Sequence, residues 1–221
     1  MTSTRSSTGT TAPASGRNAA KIDHRKILKH LYTATSRPAP VDVPTLSYLT
    51  IEGRGDPGTA PEYADAVQAL FAVAYAAKFA LRRNGGPDQA VMPLEGLWWA
   101  PDMSVFVSGD RDEWRWNLMI MQPEAVTAEI VQQALAVASA KAPAQALDRL
   151  LLRPVTQGRA VQVLHLGPYA DEGPTIAGLH AFIADRGQRP TGPHHEIYLG
   201  DPRRVAPERL RTIIRQPVTD G

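Results

Sequence analysis

A chain of 221 residues, 43% hydrophobic and 21% charged, has the make-up of a folded domain that can bury its own core. It contains no cysteine, which excludes disulfides, thiolate metal ligands and cysteine nucleophiles. The net charge of +2 calls for no nucleic acid, no apolar run approaches the roughly 18 residues of a membrane helix, and no signal-peptide core follows Met1, so the chain reads as cytoplasmic.

Residues 1–20 are rich in Ser, Thr, Ala and Gly and are expected to form a disordered tail. Apolar Ile27, Leu28, Leu31 and Tyr32, interleaved with Arg25, Lys26 and Lys29, predict a short amphipathic helix over 22–32. Pro38 to Pro44 reads as extended linker. Leu46 to Glu52 alternates as a strand and ends in Gly53-Arg54-Gly55-Asp56-Pro57-Gly58, which lacks the lysine and spacing of a phosphate loop. Thr59, Pro61 and Glu62 start a helix that runs to about Arg83, where Asn84-Gly85-Gly86-Pro87 stops it. Its buried stripe is Val67, Leu70, Phe71 and Ala74, with Tyr75 and Lys78 alongside.

Val91 to Ala100 and Trp114 to Met121 are the next strands, and they hold all four tryptophans. Tryptophans on both faces are hard to bury completely, which leaves room for an aromatic-walled pocket. A helix follows over about 127–141. Leu150 to Val155 and Ala160 to Leu166 are expected to form a hairpin through Gln157-Gly158. A helix over about 172–186 leads to a strand at His194 to Gly200. In that strand His194, Glu196 and Tyr198 share one face, and His195, Ile197 and Leu199 share the other. A carboxyl in mid-strand needs an edge or a cavity that uses it. A last strand ends at Gln216-Pro217.

The order strand, turn, helix, Glu-bearing strand, strand occurs twice, once over about 45–123 and again over about 150–218. The first copy ends Ile120-Met121-Gln122-Pro123 and the second Ile214-Arg215-Gln216-Pro217. The fold class expected is therefore α+β: duplicated β-α-β-β units forming a curved antiparallel sheet, helices on one face, a concave ligand groove on the other. Matching places for Glu95 and Glu196 would point both into that groove.

Several segments carry a family resemblance: Gly53-Arg54-Gly55-Asp56-Pro57, Val73-Ala74-Tyr75-Ala76-Ala77-Lys78-Phe79, Pro93-Leu94-Glu95-Gly96-Leu97-Trp98-Trp99, Met119-Ile120-Met121-Gln122-Pro123, His165-Leu166-Gly167-Pro168-Tyr169, His194-His195-Glu196-Ile197-Tyr198 and Ile213-Ile214-Arg215-Gln216-Pro217. Over about Lys21 to Val218 the chain resembles the GyrI-like small-molecule-binding family, in its stand-alone subgroup without a DNA-binding domain. The resemblance implies one domain over 21–221 that takes flat aromatic or cationic small molecules. In some members it implies hydrolysis of cyclopropanoid, DNA-alkylating compounds, which detoxifies them. What it implies for this chain is catalytic Glu196 and Tyr75, with Glu95, Trp98, Trp116, Tyr169 and Tyr198 as ligand-binding walls.

The chemistry is coherent without metal or cofactor. A carboxyl can act as general base on water, and a tyrosine hydroxyl can donate to the oxyanion that forms as a strained ring opens. Four alternatives remain open on the residues alone. A glutamate in an aromatic pocket can hold organic cations without turnover. The family name admits an inhibitor that binds gyrase. Glu95 and Glu196 could serve as the paired carboxylates of a glycosidase. Glu196 could simply pair with Arg203, Arg204 or Arg215. His194 and Glu196 lack a third metal ligand.

Overall fold

The fold is that of a computed structural model, which describes residues 21–102 and 111–221. The expected tail over 1–20 lies outside the described residues. The predicted helix over 22–32 is two single turns, α1 (His24–Ile27) and α2 (Lys29–Tyr32), separated at Leu28. Asp23 caps the first by accepting from the Arg25 backbone N–H. Leu31 and Tyr32 are buried.

The stretch read as linker contains an edge strand, β1 (Ala39–Val43). Pro40 is tolerated there because an edge strand has backbone groups that need no ladder partner. Next come β2 (Leu46–Arg54), α3 (Pro61–Arg83), β3 (Leu94–Trp99) and β4 (Arg115–Gln122). After them come α4 (Ala128–Ala138), α5 (Ala144–Asp148), β5 (Leu151–Val155) and β6 (Gly158–Leu166). The chain finishes with α6 (Gly173–Asp185), β7 (Gln188–Pro190), β8 (His194–Tyr198) and β9 (Arg211–Asp220).

The antiparallel order is β1-β6-β9-β8-β3-β4-β2-β5, with β7 added to β9. The duplicated β-α-β-β pattern is present, as β2-α3-β3-β4 and β6-α6-β8-β9. The units meet where β3 pairs with β8, so a pseudo-two-fold axis passes between those strands.

The expected β5–β6 hairpin does not form. β5 pairs with β2 and β6 pairs with β1, at opposite ends of the strand order. Two residues separate β1 from β2, and two separate β5 from β6. One register therefore carries on through both ladders, and Thr45 and Thr156 hydroxyls meet at 2.7 Å where it passes from one to the other. The sheet thereby curls until its two ends meet.

Both long helices lie on one face. The Ala66, Ala69, Leu70, Val73 and Ala77 stripe of α3 is buried against β2 and β4. By length and composition α3 could cross a membrane, but half of its most apolar stretch is buried inside this fold. Under α6 a second core joins Leu179 and Ile183 to Val161, Val163, Ile214 and Val218. Period-2 alternation puts these residues on the helix face of their strands.

The concave face is filled. Strands β2, β3, β6 and β9 all present residues to α2. Tyr32 donates to Glu95 Oε1 at 2.7 Å, Arg215 Nη2 donates to the Leu31 carbonyl at 2.6 Å, and Gln162 Nε2 donates to the His30 carbonyl at 2.9 Å. His195 Nε2 stands 2.9 Å from Glu95 Oε2, and burial pulls the His195 pKa down. Every polar group in this buried set has a partner, as burial in low dielectric demands.

Candidate functional site

Glu95 and Glu196 do not share a face. Glu95 pairs across the centre with Ile197, and Gly96 pairs with Glu196. Directly paired residues point the same way, so the two glutamates point oppositely. When the units are aligned on Gln122-Pro123 and Gln216-Pro217, the ladders bring Leu94, rather than Glu95, onto Glu196. Glu95 is fully buried on the concave face with Tyr32 and His195. It is not brought into a common site with Glu196, which removes the arrangement that paired catalytic carboxylates would need.

Glu196 lies on the helix-bearing face, between the N-terminal ends of α3 and α6. Its side chain is 15% exposed, open enough to meet a ligand. Tyr198, two residues along the same strand face, donates to Glu196 Oε2 at 2.7 Å. Trp98 Nε1 donates to the Tyr198 hydroxyl at 3.1 Å. Gly96, beside them on β3, leaves the room: a Cβ there would lie 2.8 Å from Trp98 Nε1 and 3.2 Å from the Tyr198 hydroxyl. His194 Nε2 is 3.4 Å from Glu196 Oε1.

Aromatic rings enclose this carboxyl. Tyr63, in the first turn of α3, stacks on Trp98 at 6.1 Å and meets Trp116 edge-on at 5.4 Å. Tyr169, in the turn before α6, meets Tyr198 edge-on at 5.5 Å. Trp116 is fully buried and forms the floor beneath them. It depends on Gly53, where a Cβ would lie 2.1 Å from Trp116 Cη2. Burial, then the charge of Glu196, raises the pKa of Tyr63. Burial, then Glu172, pushes Tyr169 up to about 12. Both hydroxyls therefore stay protonated at neutral pH.

Of the expected residues, Glu196, Trp98, Trp116, Tyr169 and Tyr198 come together. Tyr75 does not. It is 51% exposed and packs beside Phe71 on α3, twelve residues beyond Tyr63 and so about 18 Å farther along the helix axis. None of the arginines weighed for Glu196 pairs with it. Arg203 and Arg204 pair with Asp201, and Arg215 lies on the opposite face.

Two residues of the cluster were not singled out from the sequence. Tyr63 lies four before Val67 and seven before Leu70, so it opens the same stripe and reads as core. Glu172 opens α6, where an acid is ordinarily explained by the helix dipole. Here its side chain caps nothing and turns inward; the residue is only 5% exposed. It lies against Glu196 and Thr212. Burial, then the charge of Glu196, raises its pKa to about 9.

A carboxyl that is mostly buried but reachable from solvent, ringed by aromatic side chains on a duplicated α+β sheet, marks a small-molecule-binding domain. The chain belongs to the GyrI-like family: residues 38–219 match the GyrI-like small molecule binding domain. It is similar to the crystal structure of an uncharacterized conserved protein from Listeria innocua, at 40% identity and a TM-score of 0.83, covering 90% of this chain and 100% of that one. It is similar also to a hydrolase from Listeria innocua, at 38% identity and a TM-score of 0.79 with the same coverage. The EcmrR C-terminal domain shares the fold at 12% identity and a TM-score of 0.53, covering 84% of this chain and 98% of that one. Comparison with curated proteins finds no match.

Proposed function

We propose that this protein is a cofactor-independent hydrolase that adds water to cyclopropanoid, flat aromatic compounds and so detoxifies them. The observation that carries the reading is Glu196, a carboxyl reachable from solvent at the centre of an aromatic enclosure. Its similarity to a hydrolase from Listeria innocua supports the same reading.

The aromatic rings bind the flat substrate. Glu196 Oε2 is taken by the Tyr198 hydroxyl, which leaves Oε1 for water. As water attacks the cyclopropane methylene, its proton passes to Glu196. The ring carbon–carbon bond breaks, and its electron pair runs through the dienone to the carbonyl oxygen, which becomes a phenolate. The hydroxyl donor expected at Tyr75 is better supplied by Tyr63, which is neutral and lines the enclosure.

The test is a product assay by liquid chromatography and mass spectrometry with a spirocyclopropyl-cyclohexadienone compound. The unmutated protein should form a water adduct over many turnovers. Glu196→Gln should bind the compound and form none. Tight binding with no adduct from the unmutated protein would instead make this a drug-binding, sequestering module.

A further inference from the structure

Glu172 is a buried carboxyl on the face of Glu196 for which the mechanism above has no use. It is held at the start of α6 and lies against Glu196 of β8 and Thr212 of β9. Its Oε1 and the Thr212 Oγ1 are both buried without a hydrogen-bond partner among the described residues. Buried polar atoms are rarely left unpaired, and an orphan acceptor costs its full desolvation. Both atoms lie within reach of each other and of Glu196, so a proton on Glu172 is what pairs this buried group with the carboxyl beside it.

Two adjacent buried carboxyls cannot both be ionised cheaply. The groups facing Glu172 set which one keeps the proton. From β8 it meets Glu196, with Tyr198 and His194 behind it. From the turn before its own helix comes Tyr169, and from β9 the neutral Thr212. Tyr63 of α3 reaches the same cluster through Tyr198, and His180 of α6 faces His194. Glu196 already accepts from the Tyr198 hydroxyl. Glu172 is the more buried of the two, and its contact with the Thr212 hydroxyl is outweighed by burial and by the charge of Glu196, so it holds the proton.

We infer that Glu172 and Glu196 form a one-proton carboxyl pair in which Glu172 is a positioning residue, its O–H donating to the Glu196 carboxylate and holding it in place toward the water it activates. The part of this that concerns turnover rests on the hydrolase reading; the pair itself does not. In the step, the water oxygen bonds to the cyclopropane carbon and the water proton goes to Glu196. The broken bond's electrons go to the substrate carbonyl oxygen, and Glu172 keeps its own proton throughout. The phenolate then takes a proton from solvent and Glu196 returns one to it, restoring the pair.

Carboxyl titration by NMR on protein carrying ¹³C-labelled glutamate tests the pair without any substrate. The Glu172 signal should titrate well above the ordinary carboxyl range, and in Glu196→Gln it should move back toward that range. A Glu172 signal titrating with the exposed glutamates would overturn the pair. Kinetics test the positioning role. Glu172→Ala should lower kcat about tenfold or more, and Glu172→Gln, which keeps a neutral donor of the same shape, should restore it to within about threefold. The fall in rate above about pH 9 should be present in the unmutated protein and absent in Glu172→Gln. Equal losses in both variants with an unchanged pH profile would make Glu172 merely structural and overturn the role. An unmutated protein with no turnover would overturn the hydrolase reading, while the NMR titration still decides the pair.

Discussion

Replacing Tyr32 by Phe removes one hydroxyl from the concave face and nothing else. Glu95 is fully buried, and its Oε1 takes a hydrogen bond from Tyr32 at 2.7 Å. Phe keeps the ring and its packing, so the change opens no sizeable cavity. What it removes is one of the hydroxyls in the buried Tyr32, Tyr48 and Glu95 network, weakening the satisfaction of a buried carboxyl at a cost of about 1–3 kcal/mol. At this chain length each kcal/mol moves the midpoint by roughly 2–4 °C, so a loss near ~2 kcal/mol lowers Tm by about 4–8 °C. Tyr32 precedes residue 38, where the family match begins. The measurement therefore also asks whether the leading segment is part of the folded unit. Urea unfolding followed by circular dichroism and tryptophan fluorescence reads the change. Tyr75→Phe serves as control, because that hydroxyl sits on a half-exposed ring. The reasoning is refuted if Tyr32→Phe unfolds within about 0.5 kcal/mol of the unmutated protein at unchanged m-value, the scatter of a surface substitution.

Gly53→Ala should cost about 1–3 kcal/mol and alter tryptophan fluorescence, because the new methyl meets the fully buried Trp116 ring and one of them must shift. Thr127→Ala should cost about 0.5–2 kcal/mol in thermal unfolding, since the Thr127 hydroxyl caps α4 by accepting from the Ile130 N–H. Glu172 should make stability pH-dependent in a stated direction. Its folded pKa of about 9 lies above the ordinary 4.5, so the folded state holds the proton more tightly. The stability this contributes is complete below about pH 4.5 and is lost as pH rises through about 9. Gln at 172 cannot ionise, so the Tm of Glu172→Gln should gain on the unmutated protein across that window and run parallel to it above. Parallel curves throughout would count against the raised pKa.

Strand identity was legible because it is local. Alternation in His194 to Tyr198 correctly separates Glu196 and Tyr198 from His195 and Ile197, since successive side chains must alternate. The helix start at Pro61 and the stop after Arg83 are likewise written in turn and cap residues. The β5–β6 hairpin failed for the same reason that these succeeded. Gln157-Gly158 has the local grammar of a hairpin turn, but β5 pairs with β2 and β6 with β1, and pairing is decided between segments far apart in the chain.

The sequence by itself determined that this is a duplicated α+β chain of the GyrI-like family, with Glu196 and a set of tryptophans and tyrosines on its central strands. Only the tertiary structure decided which of those residues meet. A one-residue difference in register sends Glu95 to the filled concave face and Glu196 to the helix face, and register lies between strands, where the period of a single strand carries no information. The same holds for Tyr63 and Glu172. Each stands in a first turn that looks like an ordinary helix start, and each reaches Glu196 only because the two helices bring their N-terminal ends to the centre of one sheet.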